Sequence, residues 1–117
     1  MSISEKQYKL KMLLKKIFPN FYFEEEYHAT DRLRLDFFCK KLRLALEYDG
    51  PQHEEFIPFF HESEQNFKEQ LERDSQKERW CRLNDITLVR IKEEDLNEDT
   101  LRQKINEALG EKDGRSR

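Results

Sequence analysis

The amino-acid sequence predicts a mixed α/β (α+β) domain with element order α-β-β-β-α-β-α, in which helices flank a mixed central sheet. Three observations carry this expectation. Apolar residues recur at helical spacing near the amino terminus and again through a long middle segment. Two alternating stretches lie on either side of Lys40-Lys41, the pattern of a hairpin. A strongly apolar run, Ile86–Ile91, follows the long middle helix, and a helical crossover favours a mixed sheet with helices packed on it.

The first helix is predicted over residues 4–17. Ser4 suits the cap and Gln7 its capping-box partner, and Leu10, Leu13, Leu14 and Ile17 share a face. Pro19 and Asn20 end it. Residues 21–27 read as a first strand. After a turn at His28–Asp31, the stretch Leu33–Cys39 alternates, with Leu33, Leu35 and Phe37 on one face. Lys40-Lys41 makes the polar tip and the chain returns through Leu42–Asp49. Gly50-Pro51 demands a sharp turn. The next segment, Gln52–Phe60, carries four large apolar residues where a loop is expected. A long helix is predicted over residues 62–84, the strand over 86–91, and a last helix from Asn97 or Glu98 to Leu109. Residues 1–109 are expected to form one domain, and residues 110–117 a charged, disordered tail.

Composition narrows the class. The chain has 117 residues, of which 36% are hydrophobic and 40% charged. A single core fits that length. Cys39 and Cys81 offer neither a disulfide framework nor metal-ligand spacing. With no signal peptide or membrane-length apolar run, the sequence predicts a soluble, cytosolic protein. The net charge is −3, but residues 1–43 hold 10 Lys+Arg against 6 Asp+Glu, and residues 44–117 hold 12 against 19. The basic amino-terminal part can contact phosphates, although a solvated charged face explains the same bias.

Hairpin parity points to a site. With the tip centred on Lys40-Lys41, Cys39 faces Leu42 and Asp36 faces Ala45. Asp36 then shares a face with Ala45 and Glu47, with Glu47 diagonal to it and Asp49 further along. Leu42, Leu44, Leu46 and Tyr48 point the other way. A one-residue slip would separate the carboxylates. Converging like charges beside an apolar surface suggest a divalent metal. Pairing of Asp36 and Glu47 with Arg34 and Arg43 is the alternative. On the long helix, Asp74 and Lys77 interrupt the inward stripe, where they can pair with each other or reach a polar cleft.

The residues Asp36-Phe37-Phe38, Glu47-Tyr48-Asp49-Gly50-Pro51-Gln52-His53, and Arg73-Asp74-Ser75-Gln76-Lys77 followed by Ile86–Ile91 together resemble the restriction-endonuclease-like PD-(D/E)XK superfamily. They look most like its very-short-patch-repair-like branch of small bacterial and phage endonucleases. The resemblance spans roughly residues 4–92. It implies a restriction-endonuclease-like core and metal-dependent cleavage of DNA, leaving a 5′-phosphate and a 3′-hydroxyl. It also implies that Asp36 and Glu47 hold Mg²⁺ or Mn²⁺, with Asp49 either a third ligand or a cap on the turn. The family pattern places Lys two residues after the Glu, and this chain has Asp49 there. Gln52, His53 and Lys77 are the candidates to replace it: His53 as a general base, Lys77 as a stabiliser of the charge on phosphorus. Glu5 matches a Glu near the first helix in some members.

Expected DNA contacts are Lys15 and Lys16 on the first helix and Lys40 and Lys41 at the hairpin tip. Two other readings stay open: a nuclease-fold module without catalysis that binds DNA or another subunit, and an RNA-directed nuclease. The sequence leaves the oligomeric state open, a homodimer included.

Overall fold

The computed structural model describes residues 3–49 and 64–114, with side chains over 5–49 and 64–110. The predicted turn at Gly50-Pro51, the candidate residues Gln52 and His53, and the apolar segment that follows them lie outside the described residues.

Four strands form one sheet. They are β1 (Glu24–His28), β2 (Arg34–Cys39), β3 (Leu44–Tyr48) and β4 (Thr87–Ile91), in spatial order β1-β2-β3-β4. The first three run antiparallel in sequence, and β3 and β4 are parallel. The parallel pair follows from the crossover through helix α2 (Glu64–Leu83), because strands that run the same way need a long connection. Helices α1 (Ile3–Ile17) and α3 (Glu98–Gly114) complete a small mixed α+β domain.

The sheet is covered on both faces. On one, Leu10 and Leu14 of α1 and Leu101 and Ile105 of α3 pack against Phe37, Leu44, Leu46, Tyr48, Val89 and Ile91. On the other, Cys81 of α2 packs with Leu35, Phe38, Ala45 and Ile86. Each fully buried large side chain contributes about 1.5–3 kcal/mol. All five residues of β3 are buried, Glu47 included, because β3 is interior to the sheet and faces helices on both sides.

Several boundaries differ from expectation for identifiable reasons. Phe21 and Phe23, predicted in the first strand, precede it and instead gather around Phe18, with ring centroids 6.2 and 6.0 Å away. The hairpin register pairs Cys39 with Leu44 and Phe38 with Ala45, two residues from the predicted pairing. The tip is a longer turn, closed by the Arg43 N–H donating to the Lys40 carbonyl at 3.2 Å. Arg43 adopts φ 52°, a left-handed conformation that the sequence does not advertise with Gly or Asn. A shift of two preserves parity, so every side chain of β3 keeps its predicted face.

Alternation fails at one place in β2. Leu35 packs with Phe38, not with Phe37. Asp36 falls between them and has no partner in either ladder: β1 pairs Glu25 with Phe37 and Tyr27 with Leu35, skipping Glu26, which sits at φ 48°. The backbone therefore rotates at Asp36 and Glu26.

Helix α2 ends on Asp85 at φ 57°, with the Ile86 N–H donating to the Cys81 carbonyl at 2.8 Å. This is a Schellman ending with Asp in the place that Gly usually takes. Asn97 caps α3, its side-chain oxygen accepting from the Thr100 N–H at 2.9 Å. The helix continues past Leu109 to Gly114, into the tail expected to be disordered. Gly110 does not stop it, and Glu111 and Lys112 are good helix formers.

Candidate functional site

The break at Asp36 creates the site. Extending the hairpin register by one position sets Asp36 opposite Glu47. There the two side chains take over from the ladder. The Asp36 N–H donates to Glu47 Oε2 at 2.6 Å, and the Tyr48 N–H donates to Asp36 Oδ2 at 2.8 Å. Each carboxylate is thus held by a main-chain donor of the facing strand. That fixes its direction and partly offsets the cost of taking the charge out of water.

Lys77 supplies the cation. Its ammonium lies 2.6 Å from Glu47 Oε1, with Glu47 only 4% exposed and Lys77 19%. Lys77 reaches the sheet because α2 crosses the face that carries Ala45 and Glu47. Cys81, one turn further along α2, is in the core on that same face. Burial, and then the Glu47 carboxylate, push the Cys81 thiol up to about 11.

A second charged group sits beside the first. Arg90 of β4 is the register neighbour of Glu47. Its guanidinium reaches Asp49 Oδ1 at 3.2 Å, Glu78 Oε2 at 3.2 Å and Asp74 Oδ1 at 3.9 Å, and it donates to the Asp74 carbonyl at 3.2 Å. Burial disfavours the Arg90 charge, but Asp49, Asp74 and Glu78 outweigh it and raise its pKa.

The structure therefore brings Asp36, Glu47 and Lys77 together and sets Asp49 on Arg90. Asp74 and Lys77 do not pair with each other, as helical spacing allowed. Each turns to the sheet, where a buried opposite charge is the stronger partner. Arg34 and Arg43 do not neutralise the carboxylates either: Arg34 pairs with Glu26 at 3.3 Å, and Arg43 donates to the Asn84 carbonyl. Sequence reasoning gives Arg90 no role. Its signals are that it is a lone cation in a mostly apolar strand and that it lies in the Ile86–Ile91 stretch of the resemblance.

The residues present suit a divalent cation in part. Burial, and then repulsion from Glu47, push the Asp36 carboxyl up to about 6. The pair thus holds more negative charge than Lys77 offsets, and a divalent cation beside it would relieve the excess. Among the described residues no group of three ligating side chains occurs. An ion here would take two protein carboxylates and complete its shell with water or phosphate oxygens, the habit of Mg²⁺.

The cations expected to meet DNA divide. Lys40 and Lys41 are exposed at the hairpin tip. Lys15 is exposed late in α1, and Lys16 pairs with Glu98 at 3.1 Å. Helix α1 packs on the sheet face opposite Glu47, which places Lys15, Lys16 and the exposed Glu5 away from the carboxylate pair. No described helix is long and apolar enough to cross a membrane.

The fold and site together define a class: a small mixed α+β domain presenting paired carboxylates and a lysine from the sheet face beneath α2. The chain is similar to three iridovirus proteins. It is 42% identical over 59 residues to uncharacterized protein 307L of Invertebrate iridescent virus 6, covering 50% of this chain and 30% of that one. It is 38% identical over 60 residues to uncharacterized protein 094L of Frog virus 3 (isolate Goorha), covering 50% and 39%. It is 34% identical over 61 residues to uncharacterized protein 033L of Invertebrate iridescent virus 3, covering 52% and 31%. The match thus spans about a third of these relatives' length. No family model matches the chain, and no solved structure matches it.

Proposed function

We propose that the protein is a metal-dependent endonuclease or nickase that hydrolyses phosphodiester bonds in DNA, built on a restriction-endonuclease-like core. One observation carries the reading: Asp36, Glu47 and Lys77, from three different elements, converge at a break in the sheet, each carboxylate anchored by a backbone N–H. A purely structural ion pair does not need the second carboxylate, whose pKa is raised by burial and then by the first. Adjacent carboxylates are useful where a cation must be held.

A bound Mg²⁺ or Mn²⁺ would polarise the phosphoryl oxygen and acidify a water. The chain's own residues supply the rest. Asp36 and Glu47 would hold the ion, and their main-chain donors keep both carboxylates pre-aimed. Lys77 provides a positive charge where negative charge develops on the phosphate oxygens, the role the family assigns to a Lys two residues after the Glu. Asp49, in that position here, is neutralised by Arg90 and does not oppose an incoming phosphate with a bare charge.

The test is nicking of supercoiled plasmid in Mg²⁺ or Mn²⁺, beside Asp36→Ala and Glu47→Ala variants shown by circular dichroism to be folded. Metal-dependent nicking that both substitutions abolish is the expected result. Cleavage surviving both would remove the site. DNA binding without any cleavage would instead assign the non-catalytic module.

A further inference from the structure

A cavity of about 710 Å³ opens between the hairpin tip, the chain before β1 and the carboxy-terminal end of α2. That volume lies within the ~300–1,000 Å³ common for small-ligand sites. Its wall is aromatic and cationic: Tyr22, Tyr27 and Trp80 on one hand, Lys40, Lys41 and Arg43 on the other. The aromatic side is firm. Phe38 is buried beneath Tyr27, with ring centroids 4.5 Å apart. Tyr22 is 77% exposed, an aromatic face that the fold itself does not use. On the cationic side, Arg43 is tied to the Asn84 carbonyl, while Lys40 and Lys41 are exposed and make no ion pair with any described residue. Glu24 is the single carboxylate of the lining.

We propose that this cleft seats an unpaired nucleotide of a single-stranded nucleic acid, its base stacked on the Tyr22–Tyr27–Trp80 wall and its phosphates held by Lys40, Lys41 and Arg43. The inference rests on the nucleic-acid reading of the protein but not on its metal chemistry. Three cations against one carboxylate favour a polyanion over an apolar peptide. Aromatic faces stack on a base only when it is out of a duplex, and such stacking tolerates any base. Placement is consistent with this. Trp80 lies one helical turn beyond Lys77 on α2, and Arg43 lies four residues before Glu47, roughly 13 Å along the hairpin at ~3.3 Å per residue. The cleft and the carboxylates thus lie on the same side of the sheet, with Cys81 of α2 packed on Ala45 between them.

Trp80 is the only tryptophan of the chain, so its emission reports the cleft directly. The intact protein is titrated in EDTA with ten-nucleotide oligo-dT, oligo-U and a duplex of equal length. Saturable quenching by both single strands, with weaker binding of the duplex, is expected. A preference between the two would add recognition of the 2′-hydroxyl or of the thymine methyl group and support the same cleft. Lys40→Ala/Lys41→Ala should weaken binding about tenfold and lower the salt slope by ~1.4, at ~0.7 for each phosphate that the variant leaves without its lysine. Tyr22→Ala, at an exposed position, should weaken it about tenfold. Saturation without any change in Trp80 emission overturns the proposal, as does equal affinity for the duplex or indifference to both variants. Binding that persists in a protein that never nicks leaves the cleft standing and removes the nuclease. Nicking without a Trp80 response removes the cleft alone.

Discussion

Replacing Asp36 with Asn should stabilise the protein in metal-free buffer at neutral and alkaline pH. Burial and Glu47 raise the Asp36 carboxyl from its ordinary 3.8 to about 6. The folded state therefore holds this proton more tightly than the unfolded state. Below pH ~4 the group is protonated in both states and has no effect. Between ~4 and ~6 the unfolded chain ionises first, and the folded state loses ground. Above ~6 the penalty is complete. Moving a carboxyl over that range is worth ~3 kcal/mol at 1.36 kcal/mol per pH unit. Partial solvent access and relaxation reduce it to ~1–2 kcal/mol. Asparagine keeps an acceptor oxygen for the Tyr48 N–H, removes the charge and replaces the other oxygen with an N–H₂ donor. Thermal melts of Asp36→Asn and the parent protein should differ by ~4–8 °C at pH 8, at about 4 °C per kcal/mol, and converge near pH 4. Mg²⁺ at tenfold its Kd should then raise the parent's stability by ~1.4 kcal/mol and leave the variant where it is. A variant less stable than the parent at pH 8, or a gap of the same size at pH 4, would refute the charge-repulsion argument.

Lys77→Ala leaves Glu47 buried without its cation and should cost about 3–5 kcal/mol in urea unfolding. In folded protein it should lower nicking turnover with little change in Mg²⁺ affinity, and a large loss of metal binding would refute its assigned part. Arg90→Leu strips Asp49 and Asp74 of their shared cation and should cost about 2–4 kcal/mol. The loss should shrink as pH falls and those carboxylates protonate, which a pH series of urea midpoints would show.

Much of the architecture is legible in the sequence because several signals agree. The helical spacing of Leu10 and Leu14, the apolar run of β4 and the hairpin pattern each stand on periodicity. The parity of β3 survives a wrong register because side chains repeat every two residues and the error is two. What the sequence hides is local and physical. No Gly, Asn or Asp marks Arg43 or Glu26, yet both are left-handed; the left-handed Asp85 falls where Asn84-Asp85 signals the helix end. Nothing in Leu35-Asp36-Phe37 announces that Leu35 and Phe37 pack on opposite faces. Partner choice is hidden too. Helical spacing makes Asp74 and Lys77 neighbours, but buried Glu47 and half-buried Arg90 attract them more strongly than an exposed i, i+3 pair worth ~0.2–0.5 kcal/mol.

These hidden features belong together. A continuous ladder at Asp36 would have spent its N–H, and that of Tyr48, on strand carbonyls. With the ladder interrupted, both donors turn to carboxylates, and two acidic side chains can sit side by side, Glu47 buried and Asp36 half-buried. That burial then selects the cations. Glu47 draws Lys77 from the helix above, and Asp49, two residues on along the same face, draws Arg90 from the neighbouring strand. The sequence shows an acidic residue where a nuclease of the resembled type carries its lysine. In three dimensions a lysine is present at the Glu, delivered from α2, and the aspartate is balanced by a cation of its own. On the proposed reading, the departure at position 49 is an exchange of which element supplies the charge, and it leaves the carboxylate pair with the positive neighbour that chemistry requires.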